Sequence, residues 1–243
     1  MRRGVALALL VAASSSAAAD RRRFASTYEY PTLLEGQTSL ELSHTQTRVV
    51  WGDEEDRLEQ AFEVEHGISE RFDAGLALGF SQRGAAQAPG QPYGFEQLRL
   101  ETRYRFADRN EWPIDLAVLA RGATYFSANA YATEARVIAA RDMDALSIAA
   151  NVIGAVQFGD DIGGTNVQLG WAAGVTYELH PKLSVGVETS GARHVTNEKV
   201  TVGSVGPVIA LAPTGQLWLT LSAGFGFASG PDVAARLLLG IEL

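Results

Sequence analysis

Ala235-Arg236-Leu237-Leu238-Leu239-Gly240-Ile241-Glu242-Leu243 ends the chain. Leu237, Leu239, Ile241 and Leu243 share one parity, while Arg236, Gly240 and Glu242 share the other. Successive side chains of an extended strand point to opposite faces. This stretch is therefore a strand with one continuously apolar face and one polar face. Working back, Leu217, Leu219, Leu221, Ala223, Phe225 and Phe227 alternate with Thr220, Ser222, Gly224 and Gly226. The same holds for Val167, Leu169, Trp171, Ala173, Val175, Tyr177 and Leu179. Further back, Leu98, Leu100, Tyr104 and Phe106 oppose Gln97, Arg99, Glu101, Arg103 and Arg105. Apolar faces this long and one-sided suit lipid, with the opposite faces turned to a polar interior.

Followed through the chain, the period of two gives strands at 36–48, 56–68, 73–83, 94–106, 115–126 and 129–141. Six more follow at 146–158, 167–179, 183–194, 201–212, 217–228 and 233–243. The fold class is all-β: a closed antiparallel transmembrane β-barrel of twelve strands, within a range of ten to fourteen. Closure is required because an open sheet edge in hydrocarbon leaves backbone groups unsatisfied. The connections alternate between short and variable. Ser69–Phe72, Asp142–Ala145, His180–Lys182 and Pro213–Gln216 are short, and Ala107–Ile114 is longer. The other set comprises Val49–Glu55, Gly84–Tyr93, Gly159–Asn166, Val195–Val200 and Ser229–Asp232, with a tight Ser127-Ala128 bend. Periplasmic turns and outer loops of a barrel differ in this way. Aromatics gather near strand ends, with Phe72, Tyr104, Phe106, Trp112 and Tyr177 on the periplasmic side. Trp51, Phe80, Tyr125, Phe126, Phe158 and Phe227 lie on the outer side, giving the two interfacial girdles. Gly206-Pro207 interrupts the tenth strand, because proline lacks a ladder donor, and predicts a bulge or a break.

At the other end, Met1-Arg2-Arg3 precedes the apolar run Val5–Ala13, and Ala17-Ala18-Ala19 gives the small-residue pattern of a cleavage site. Residues 1–19 read as a signal peptide. Residues 20–35 are then expected as a short periplasmic N-terminal segment and 36–243 as the barrel, placing the protein in the bacterial outer membrane. The chain has no cysteine, hence no disulfide or thiol chemistry. Its formal charge is −8, and more negative still once Arg2 and Arg3 are removed, which argues against nucleic acid as a partner. The mean hydropathy of +0.01 is too polar for a bundle of membrane helices and fits strands with one face in lipid.

The chain also resembles a family of uncharacterised bacterial outer-membrane β-barrels of transporter or channel type. The residues that carry this are Thr27-Tyr28-Glu29-Tyr30-Pro31-Thr32-Leu33-Leu34-Glu35-Gly36, Phe62–Arg71, Thr102–Asp108 with Trp112-Pro113, Ser204–Pro207 and Ala235–Leu243. The resemblance implies fold and location, and no substrate or catalytic residue. Outer-membrane barrels commonly end in phenylalanine, and this chain ends in Leu243.

Parity turns Glu41, Glu59, Glu63, Glu65, Arg99, Glu101, Arg103, Arg105, Arg121, Glu134, Arg136, Glu188, Arg236 and Glu242 towards the lumen. Isolated charges in a narrow interior are costly, so these must be paired or hydrated. Two roles fit them: ladders of ion pairs that hold the wall in register, or a polarised pore wall that selects permeants. Closure of the last strand on the first further predicts Arg236 or Glu242 near Glu41. The function expected is a passive channel or transporter for small polar solutes. A non-conducting structural or surface-interaction barrel plugged by its own ion pairs is the alternative. A lipid-modifying enzyme is a third reading, with His44 near the outer rim to watch. No His-x-Ser pair occurs at strand spacing, so no catalytic residue is assigned and the protein is expected not to be an enzyme. The acidic runs Gly52–Asp56 and Asp160-Asp161 lack the spacing of a calcium loop, so no metal or cofactor is expected. The expected partners are outer-membrane lipids and lipopolysaccharide, with the assembly machinery engaging the C-terminal strand. The oligomeric state is left open.

Overall fold

The computed structural model describes residues 22–49, 56–84, 93–159, 164–196 and 200–243. The expected signal peptide, Trp51, the Asp53–Glu55 run and Asp160-Asp161 lie outside the described residues. The strands are β1 (Thr38–Arg48), β2 (Arg57–Ser69), β3 (Phe72–Arg83), β4 (Gly94–Arg105), β5 (Asp115–Tyr125) and β6 (Ala130–Met143). They continue with β7 (Leu146–Gly159), β8 (Gly164–His180), β9 (Leu183–His194), β10 (Thr201–Leu211), β11 (Leu217–Gly226) and β12 (Val233–Glu242). Each pairs antiparallel with its sequence neighbours, and β1 pairs with β12 to close the ring. At the seam Ser39 faces Glu242 and Arg48 faces Val233. The Leu243 N–H donates to the Thr38 carbonyl at 2.8 Å, so the C-terminal leucine is tied into the closing ladder.

The period of two decides which side chains meet lipid. Phe62, Leu100, Val152, Leu169, Val187 and Phe225 are all exposed on the outer face. Neighbours of opposite parity, such as Glu63, Glu101, Asn151 and Glu188, are buried inside. An apolar exterior around a polar interior, closed without an edge, is the construction of an outer-membrane barrel. Tight turns use residues that tolerate positive φ: Asn110, Asn129 and Asp144 lie at 62°, 39° and 51°.

One expectation is met on one side of its strand only, and a second is revised. Pro207 causes a local gap and no slip, because β10 stays paired with β9 through Pro207↔Val187. Towards β11 the pairs stop at Val205↔Phe225 and resume at Val208↔Ser222 in the same register. Tyr125 belongs to the inward parity of β5, lining a lumenal cavity instead of the outer aromatic girdle.

The larger correction concerns the segment expected in the periplasm. Residues 22–33 lie inside the barrel, with Phe24 fully buried and Thr27, Tyr28, Tyr30 and Leu33 nearly so, and Leu34 is exposed at its mouth. The physical reason is composition. This short stretch carries Phe24, Tyr28, Tyr30 and Leu33, and burying such side chains stabilises by about 1.5–3 kcal/mol each.

Candidate functional site: a lumenal loop between two cavities

The segment enters the lumen through a hinge of two glycines. Gly36 adopts φ +79°, which favours glycine, and its N–H donates to the Gly67 carbonyl at 2.8 Å. Gly67 returns its N–H to Gln37 at 2.9 Å. A Cβ on Gly67 would lie 2.0 Å from the Leu34 oxygen, so only glycine lets the chain fold back this closely.

Beyond the hinge, wall side chains hold the backbone of the loop. Leu33 N–H donates to Asp73 at 3.1 Å, and Ser26 N–H to Glu188 at 2.9 Å. Asn151 grips Tyr28 on both sides, accepting its N–H at 2.7 Å and donating to its carbonyl at 2.9 Å. Thr220 donates to the Arg22 carbonyl. The Arg23 guanidinium reaches Glu29 and Asp142, each at 3.0 Å, and Arg23 N–H donates to Glu29 at 2.7 Å. Residues 23 and 29 are thereby clasped, and 24–28 form a tip pointing up the lumen.

Tyr28 is the hub of that tip. The guanidinium carbons of Arg22, Arg136 and Arg121 lie 4.3, 4.5 and 5.5 Å from its ring centroid. Arg121 also donates to its hydroxyl at 2.7 Å. A ring face attracts cations, so one tyrosine gathers three of them. Burial pushes the Tyr28 hydroxyl above its ordinary pKa, keeping it a neutral phenol. Burial likewise raises Glu29 from its ordinary pKa, against the opposing pull of Arg23.

Phe24, Tyr28 and Tyr30 pack with inward-facing Leu119, Ile138 and Val208 into an apolar core within the barrel. On the far side Gly174 leaves room for Phe24, since a Cβ there would lie 2.5 Å from its ring. Sequence reasoning missed these inward apolar residues. The available signal was β5, which is apolar on both parities, Leu116 and Val118 as well as Ala117 and Leu119.

The predicted inward charges form a network through the charged half of the wall. Arg99 bonds Glu63 at 2.6 Å and lies 3.7 Å from Glu101. Arg121 joins Glu101 at 2.7 Å and Glu134 at 3.4 Å, and Arg136 bonds Glu134 at 2.9 Å. Arg103 pairs with Asp73 at 2.9 Å. Oxygens of Glu63, Glu65 and Glu101 lie within 4.8 Å of one another, near enough to share a cation. Arg99 and Arg121 bind two of these carboxylates, and Arg103 acts on Glu65. Glu242 is buried and inward, and Glu188 is spent on the loop.

Other expected positions are revised. Arg105 sits at the periplasmic rim, donating to the Glu70 carbonyl at 2.9 Å and pairing with Asp108 at 2.8 Å. Glu41 does not meet Arg236, which stands opposite Thr45. Its cation is Arg22 of the loop, at 3.0 Å, because the loop reaches Glu41 lower in the barrel than Arg236 does. Glu242 stands opposite Ser39, two residues from Glu41 on the same face. His44 points outward and meets Gln60 at 3.0 Å, with no serine among its hydrogen-bond partners in the described residues. Asp56, the end of the acidic loop, accepts from Val49 N–H at 3.0 Å.

The loop divides the lumen. On the outer side lies a cavity of about 500 Å³, floored by Arg22, Ser26 and Tyr28. A side chamber of about 250 Å³ opens beside Gln97, Tyr125 and Gln157. On the periplasmic side, a cavity of about 540 Å³ is bordered by Arg23, Glu29, Tyr30 and Trp218.

No family model and no curated protein matches the chain. Solved structures do. An outer-membrane channel from Pseudomonas putida F1 superimposes with a TM-score of 0.64 at 14% identity, over 88% of this chain and 98% of that one. The NanC porin gives 0.58 at 12% identity over 85% and 100% of the two chains. The KdgM porin gives 0.53 at 12% identity over 84% and 97%. At these identities the likeness is one of fold, to outer-membrane barrels of the channel and porin kind.

Proposed function

We propose that the protein is a passive outer-membrane channel for small polar solutes, in which the 22–34 loop sets the width of the path. The observation that carries this reading is the pair of cavities, about 500 and 540 Å³, on either side of a loop tip only a few residues deep. A barrel meant only as a solid post has no need of polar vestibules at both ends. The contacts at the tip are largely hydrogen bonds and ion pairs to side chains, which water can replace when the loop shifts. The resemblance to a family of transporter or channel barrels, and structural neighbours that are a channel and porins, agree with this reading.

The rival is a permanently plugged, non-conducting barrel, favoured by the apolar contacts of Phe24 with Leu119 and Ile138. Planar-bilayer recording of refolded protein separates the two. The expected result is small or infrequent openings in the wild type and larger ones in Asn151→Ala, where the grip on Tyr28 is lost. A silent bilayer for both proteins at all voltages would overturn the channel reading.

A further inference from the structure

Resting on the channel reading, we propose that the outer cavity is a binding site for small carboxylate- or phosphate-bearing anions, with Arg236 as their anchor. The cavity is lined by five guanidinium groups, Arg22, Arg99, Arg121, Arg136 and Arg236, and by two carboxylates, Glu41 and Glu59. Four of the five arginines are already engaged. Arg22 holds Glu41, Arg99 holds Glu63, Arg121 holds Glu101 and Arg136 holds Glu134. Both lining carboxylates are engaged as well, Glu41 by Arg22 and Glu59 by Arg57 at 2.9 Å. Arg236 is held in the ladder by its backbone, and its side chain makes no ion pair or hydrogen bond among the described residues. The acids whose fields reach it are Glu188, which accepts Ser26 N–H, and Glu59.

The neighbours of Arg236 suit an oxyanion. Directly across the ladder on either side stand Thr45 and Ser222. Their hydroxyls belong to the same inward face and can donate beside the guanidinium. Ser43, Ser190 and Ser204 add hydroxyls to the cavity wall. A planar guanidinium offers two parallel donors that match a carboxylate or phosphate edge, and bonds to a charged acceptor are about twice as strong as neutral ones. An uncompensated cation in a narrow lumen is costly, so an arriving anion removes a cost as well as gaining contacts. The volume, about 500 Å³, accommodates a solute the size of a sugar acid.

The test uses full-length protein refolded in detergent, with heat-modifiable gel migration as the check of folding. Glucuronate, inorganic phosphate and neutral glucose are titrated calorimetrically into wild type, Arg236→Gln and Arg236→Lys. Glucuronate should bind the wild type and bind Arg236→Gln about tenfold more weakly or worse, with Arg236→Lys between them and glucose silent. Binding by phosphate as well assigns the site to oxyanions in general, and binding by glucuronate alone restricts it to carboxylates. Glucose binding as tightly as glucuronate, or Arg236→Gln binding glucuronate like wild type, overturns the proposal. Should Arg236→Gln not fold, the double variant Thr45→Val, Ser222→Ala keeps the guanidinium and removes its neighbours. It should weaken glucuronate severalfold, and unchanged affinity counts against the site. Conductance measured in parallel keeps the two readings apart. Binding with a silent bilayer sinks the channel and keeps the site, whereas conductance without glucuronate binding sinks the site and keeps the channel.

Discussion

The lumen has two unlike halves. From β2 to β6 the inner face is packed with Glu63, Arg99, Glu101, Arg121, Glu134 and Arg136, tied together within a strand, between adjacent strands or, for Glu63 and Arg99, across β3. From β8 to β11 the same face carries Gly174, Gly186, Ser190, Ser204, Ser222 and Gly224, small side chains interspersed with Glu188, Val208 and Thr220, which meet the loop. The charged half is a truss whose rigidity comes from paired charges. The small-residue half supplies space, which the loop and the outer cavity occupy. Placing the charges on one side and the room on the other lets one barrel be both stiff and hollow.

The sharpest way to break this contrast is Arg121→Met. It removes the close partner of Glu101, the second cation of Glu134 and the donor to Tyr28, leaving buried Glu101 with only the 3.7 Å contact of Arg99. The unfolding free energy in guanidinium should fall by about 3–5 kcal/mol. An undiminished value would mean that the truss does not hold the wall. Next in size is Asn151→Ala, which unpairs the Tyr28 N–H and carbonyl and takes from the wall only the Arg136 hydrogen bond at 3.2 Å. Loop docking should weaken by about 1–3 kcal/mol, seen as tryptic cleavage after Arg22 or Arg23 at least about tenfold faster, with barrel unfolding unchanged. Gly174→Leu tests the small-residue half, since its side chain would displace Phe24. It too should release the loop without lowering barrel stability, and a barrel that instead unfolds early would show that this half is structural. Ser222→Ala should change unfolding by no more than about 0.5 kcal/mol.

The smallest effect concerns pH. Burial raises the Glu29 pKa in the docked loop, facing Arg23, Arg22 and Asp142, so the docked state holds its proton more tightly than the free one. Docking is then strongest below the ordinary carboxylate range and weakens as pH rises through the raised value. Single-channel open probability should be higher at pH 8 than at pH 5, and Glu29→Gln should flatten the difference. The opposite slope in wild type would remove Glu29 from the account.

The wall could be read in the sequence because β-strand parity is local. Alternation in β4 or β12 needs no knowledge of the rest of the chain, and each strand boundary falls within three residues of its expected place. The pairing of Glu41 was not legible, because its partner Arg22 arrives from outside the sheet and parity says nothing of a non-strand segment. The loop's entry into the lumen was half-legible. Phe24, Tyr28, Tyr30 and Leu33 are too apolar for a free tail, and β5 shows apolar residues on both faces. Reading those two facts together would have placed one against the other.

The clasp between Arg23 and Glu29 bears on how the molecule is put together. A strand-like tail running straight through the bore would have to be threaded after the ring sealed, or the ring would have to seal around it. A loop whose two limbs lie side by side at the same mouth needs neither. It can be seated from below once β1 and β12 have met, and withdrawn by the same route, like a cork on a tether of which Gly36 and Gly67 are the knot. The geometry thus allows barrel formation and lumen closure to be separate steps, because seating the loop requires no strand pair to open.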